Sequence, residues 1–99
     1  MVASKNEDLL KDELISFFSE LTIDDLKALK TVTEELLRAR KLHPSWPKDS
    51  IHQAAIVQEE AGELIRAALQ HEFENDPKQP MNTEAIQTAA MALRFLLKG

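Results

Sequence analysis

Val57-Gln58-Glu59-Glu60-Ala61-Gly62-Glu63-Leu64-Ile65-Arg66-Ala67-Ala68-Leu69 is an apolar run with three glutamates set inside about one helical turn. At about 100° per residue, Glu63 lies roughly 40° from Glu59 and 60° from Glu60 on an α-helix. The three carboxylates therefore project over one sector. Like charges so placed destabilise a helix by a few tenths of a kcal/mol per pair, roughly. Gly62, in the helix interior, costs about 1 kcal/mol more relative to alanine. Both penalties make sense if a hard cation rests against the carboxylates and Gly62 admits a close neighbour.

Outward from this stretch, helical periodicity continues. Ser50 and Gln53 form an S-x-x-Q capping box, which predicts a helix from about Ile51 to Glu74. Upstream, His43-Pro44-Ser45-Trp46-Pro47-Lys48-Asp49 carries two prolines and reads as an extended connection. Before it, Leu26, Leu29, Val32, Leu36 and Leu37 mark a helix over 23–42, weakly capped by Thr22 to Asp25. Ser4 with Glu7 caps a further helix over 5–20, whose stripe is Leu10, Leu14, Phe17, Phe18 and Leu21. The short link predicts an antiparallel hairpin of these two. Downstream, Asn75-Asp76-Pro77-Lys78-Gln79-Pro80 reads as a polar loop. Asn82 or Thr83 then caps a last helix carrying Ile86, Ala89, Ala90, Leu93, Leu96 and Leu97. No strand pattern and no repeat is present. The expected fold is all-α, a helical bundle of about four helices in a single domain over 1–99, with 1–22 an additional helix and 23–99 the core.

Composition agrees. The 99 residues are 43% hydrophobic and 29% charged, with two glycines, four prolines and five aromatics, as in a globular helical chain. Without cysteine, disulfide, zinc-thiolate and thiol-nucleophile chemistry fall away. A net charge of -5 argues against a nucleic-acid partner. The N-terminus has no long apolar stretch, so neither a signal peptide nor a membrane span is expected, and a cytoplasmic location is the default. Alanine is abundant in the last two helices, and apolar residues occupy more than one face of each. A chain this small has a thin core, so the pattern implies a homo-oligomer, dimer or tetramer.

Glu84 and Gln87 stand three apart on the last helix and share a face. Helix-borne carboxylates suit Mg²⁺, with Mn²⁺ as the alternative ion. At this point the chain resembles a family. Glu59-Glu60-Ala61-Gly62-Glu63-Leu64 followed by Glu84 is similar to the E-E-x-x-E … E-x-x-D signature of MazG-like, all-α nucleoside triphosphate pyrophosphohydrolases. Trp46-Pro47 and Ala89-Ala90-Met91-Ala92-Leu93-Arg94-Phe95-Leu96 resemble the phage and bacterial subgroup. The resemblance covers about residues 23–98 and leaves the first helix outside. Where the family has aspartate this chain has Gln87, which keeps a carbonyl oxygen but removes one negative charge.

The resemblance implies a nucleoside triphosphate partner. It also implies metal ligation by Glu59, Glu60, Glu63, Glu84 and Gln87, with Glu59 as the catalytic base for an attacking water. Trp46 is a candidate for stacking on the base, against the plainer role of plugging the bundle end. Lys48 and Arg66 are phosphate-binding candidates, and His52, two turns before Glu59 on nearly the same azimuth, is a substrate contact. For each the plainer alternative is a solvated surface residue. Two other functions compete: a nucleotide-binding relative made catalytically weak by Gln87, and a structural helical oligomerisation module.

Overall fold

The computed structural model describes residues 5–99, and among them it holds four helices and no strand. They are α1 (Lys5–Ser19), α2 (Ile23–Leu42), α3 (Ser50–Glu74) and α4 (Lys78–Leu97). None is long and apolar enough to cross a membrane. The chain divides into two compact units, residues 1–30 and 31–99, with the boundary inside α2.

In the first unit, Thr22 and Asp25 cap α2 reciprocally. The Thr22 N–H donates to Asp25 Oδ2 (2.9 Å) and the Asp25 N–H donates to Thr22 Oγ1 (3.1 Å). Ser4, and so the capping box read there, lies outside the described residues. No side chain of α1 is buried, so its Leu10, Leu14, Phe17 and Phe18 stripe is not covered as the expected hairpin requires.

The second unit holds the main pairing, α3 against α4. Its direction follows from who meets whom: Glu63 faces Glu84, while Ala54 and Val57 share a groove with Phe95 and Leu96. The helices are antiparallel. Small side chains at the seam, Ala67 and the fully enclosed Ala90 (0% exposed), let the two backbones approach closely. Leu36 and Ala39 from α2 complete the short set of buried apolar residues.

Two helix starts differ from their sequence reading. The N-cap of α3 is Asp49, whose carboxylate accepts from the His52 N–H (2.9 Å). Gln53 does not reach back to Ser50; it donates instead to the Pro47 carbonyl (2.8 Å). An aspartate directly before the helix outcompetes a serine one residue later. α4 begins at Lys78, so the loop closes within residues 75–77, and neither Asn82 nor Thr83 is a cap. Pro80 sits in the first turn, where the helix has no intrahelical acceptor for an N–H, so its missing donor costs nothing there. Asn75, in the left-handed region at φ 58°, ends α3 with its N–H on Gln70 O.

Gly62 also differs. A Cβ built there meets nothing within 4 Å, so no neighbour in this chain needs the missing side chain. Gly62→Ala is therefore expected to stabilise the chain by about 1 kcal/mol, through helix propensity and a less flexible unfolded state. Urea denaturation reads this directly. A lower midpoint would show that Gly62 abuts a surface from outside the chain.

Candidate functional site

Glu60 and Glu63 are three residues apart on α3, and Glu84 comes from the second turn of α4. Antiparallel pairing carries these carboxylates into one place, with an oxygen from each lying within 4.8 Å of the others. All three residues are half-buried. Glu60 Oε2 and Glu84 Oε2 are closed off from solvent and have no hydrogen-bond partner. A buried acceptor without a partner is costly, and two in one cluster are a strained arrangement.

The titration behaviour follows from this crowding. Burial first, then the charges of Glu63, Glu84, Glu59 and Glu35, push the Glu60 carboxyl above its usual range. Glu84 is also pushed up, by burial and then by a hydrogen bond with Glu63 and its charge, while Arg66 pulls the other way.

Two clefts flank the cluster. One, of about 350 Å³, is lined by Glu60 and Gln87 together with Trp46, Ile56, Met91 and residues of α2. The other, of about 340 Å³, is lined by Glu63, Glu84 and Arg66. Trp46 forms a half-buried wall of the first, with the Arg94 guanidinium 4.6 Å over its ring. Arg94 is 3% exposed and donates to His43 O (2.9 Å) and Gly99 O (3.2 Å), and Arg40 donates to the same Gly99 oxygen (2.9 Å). Burial, then the nearby Arg40, lowers the Arg94 pKa from its usual value.

The structure thus brings Glu60, Glu63 and Glu84 together and sets Gln87, Trp46 and Arg66 in the flanking clefts. Glu59 is exposed beside the cluster and acts on Glu60 through its charge. Lys48 and His52 are exposed and line neither cleft; His52 is engaged by the Asp49 cap through both its backbone and its ring Nδ1. The α2 residues Glu35 and Arg38 escaped the sequence reading. Three apart on a helix, they have the spacing of an ordinary surface ion pair, and only the fold places them in the cleft. Arg94 was equally hidden, since an arginine in a last helical turn has a sufficient role in the helix dipole.

The three carboxylates offer hard oxygen donors of the kind Mg²⁺ and Mn²⁺ take, and the two unpartnered oxygens fit such an ion. Without an ion, the cluster has a definite pH signature. A carboxyl whose pKa is higher folded than unfolded binds more protons in the native state, so stability falls as pH rises from the ordinary carboxylate range through the raised pKa. Glu60→Gln removes one such group. In metal-free buffer it is expected to raise the melting temperature at pH 7, with the gain shrinking as pH drops to the ordinary carboxylate range. A gain independent of pH would place its origin elsewhere than in the Glu60 charge.

No family model, no curated protein and no solved structure matches this chain, so the chemistry of the site rests on its own residues.

Proposed function

We propose that this protein is a Mg²⁺-dependent nucleoside triphosphate pyrophosphohydrolase of MazG-like type, converting a nucleoside triphosphate to the monophosphate and pyrophosphate. The observation that carries the reading is the convergence of Glu60, Glu63 and Glu84 from two helices, with two buried oxygens lacking partners. The acidic motif and the tryptophan-walled cleft beside it support the same reading.

In this reading Glu60, Glu63 and Glu84 hold the ion, and Gln87 lends its side-chain carbonyl. Bound Mg²⁺ supplies neutralisation of the triphosphate charge. Arg66, in the cleft with Glu63 and Glu84, holds phosphate oxygens. Glu59, exposed and adjacent, accepts the proton of a water whose oxygen bonds to the α-phosphorus. The bond from the α-phosphorus to the α–β bridging oxygen breaks, and the electron pair leaves with pyrophosphate. Gln87 favours one second reading, a relative that binds nucleotide and turns it over weakly, because one negative charge is missing where it lines the cleft beside Glu60.

Pyrophosphate release from a panel of canonical nucleoside triphosphates, with Mg²⁺ or Mn²⁺, tests the reading. Millimolar metal is expected to raise the unfolding midpoint, and Glu63→Gln is expected to abolish both that shift and the release. Metal-dependent stabilisation without release selects the second reading. Neither effect would rule out both.

The functional unit in this reading is a homo-oligomer. Among the described residues seventeen large apolar side chains are exposed, Ile65, Leu69 and Phe73 of them along one stripe of α3. No large side chain is fully buried among the described residues. Sedimentation equilibrium is expected to give a dimer or tetramer at micromolar concentration. A folded, stable monomer would overturn this.

A further inference from the structure

The face of α3 that points away from α4 has the pattern of a second seam. Ala67 is buried on the α4 side. On the opposite side Ile51, Ala55, Gln58, Gly62, Ile65 and Leu69 follow one another at alternating steps of four and three, and all six are exposed. Ile51 is 79% exposed, Ile65 60% and Leu69 51%, and a Cβ on Gly62 would meet nothing within 4 Å. A helix face that met only solvent would be polar. The two edges of this stripe differ. One carries Ala54, Ala61 and Ala68, and the other carries His52, Glu59, Arg66 and Phe73. Glu59 and Arg66, seven residues apart on that second edge, are both exposed.

We propose that this face binds a second copy of the chain, α3 antiparallel to α3 about a two-fold axis between Gly62 and Ile65, with Glu59 of each chain paired to the partner's Arg66. The inference rests on the oligomeric reading given above and not on the nucleotide. Charge complementarity points to the occupant and to its direction. A two-fold axis makes each contact occur twice, so one acid and one base on the same edge give two ion pairs. In a parallel pair the charged edge lies against the partner's alanine edge, and neither Glu59 nor Arg66 finds an opposite charge. In an antiparallel pair the two charged edges lie against each other. The next register on either side sets Glu59 against Glu59 or Arg66 against Arg66, so only one register pairs them. That register also fits by size. Gly62 falls opposite the partner's Ile65, which enters the space that the glycine leaves, and Ala61 falls opposite the partner's Ala68. A methyl at position 62 matches the alanine edge and is accommodated, whereas a long side chain is not. Arg66 also lines the cleft with Glu63 and Glu84, so the seam borders the carboxylate site. The pairing keeps Glu59 ionised, as an acceptor of a proton must be.

Sedimentation equilibrium of the full chain reads this pairing through charge exchange. Glu59→Arg sets two cations against each other at both ends of the seam, and Arg66→Glu sets two anions there. Each alone is expected to weaken self-association at least about tenfold. Mixed one to one, the two variants are complementary at both positions and are expected to regain the wild-type association. The double variant Glu59→Arg/Arg66→Glu is expected to regain it by itself. For a tetramer the single changes are expected to halt assembly at the dimer. If circular dichroism shows either charge variant unfolded, Gly62→Leu decides by the same loss, since leucine favours the helix but fills the space that Ile65 enters. Association that the single variants leave unaltered, or a mixture as weak as its components, overturns this seam alone and leaves an oligomer built on another face. A wild-type chain that is monomeric throughout removes both.

Discussion

Like charges pressed together between two antiparallel helices are the constraint on which the rest of this structure depends. α3 and α4 approach closely because alanines line their seam, and that approach forces Glu60, Glu63 and Glu84 into one partly covered space. The chain relieves the repulsion in part by raising the pKa of two of these groups. Nothing in the described residues satisfies the last two oxygens. A helical pair built only for stability would place apolar groups there. The retention of carboxylates at the seam is what motivates a functional reading.

Arginine does much of the ordering that a large apolar core does elsewhere. Arg94 lies nearly covered and bonds to His43 and Gly99, and Arg40 bonds to Gly99 from α2. These bonds tie the end of α2 to the end of α4 and press a cation against Trp46. The extended, proline-flanked connection is thereby given a fixed aromatic wall. Gln53 adds a bond to the Pro47 carbonyl from the first turns of α3. A rigid wall beside half-buried carboxylates is a pre-organised arrangement, since neither side needs to reorder when a ligand enters.

The proposed chemistry divides naturally along the two clefts. In that reading, the side with Trp46, Ile56 and Met91 offers apolar faces among charged neighbours and would suit a flat aromatic group, while the side with Arg66 would suit phosphate. The carboxylates lie between them, where an ion would be needed to hold a triphosphate against an acidic surface. Gln87 lines the same cleft as Glu60, and in the proposed reading it would bear on both metal affinity and the fit of the nucleoside.

How much of this was legible in the residues themselves depends on the range over which each signal acts. Helix identity was readable throughout, because a 3.6-residue apolar period and the prolines at 44 and 47 are local facts. The shared face of Glu60 and Glu63 was equally local. Helix starts were less so: Asp49 took the cap from Ser50, and Pro80 entered a helix it had been expected to precede, because both outcomes depend on competition within a single turn. The meeting of Glu84 with Glu63 needed the register of two helices, which the three-residue closure after α3 decided. Glu35, Arg38 and Arg94 carried no usable signal at all. Their spacing is that of surface charges anywhere, and only packing, by covering Glu35 and Arg94 beside Trp46, turned them into walls of a cleft. The sequence by itself determined the helices and which carboxylates share a face, since those follow from neighbours along the chain. The tertiary structure alone decided which faces meet, since that follows from contacts between residues far apart in sequence.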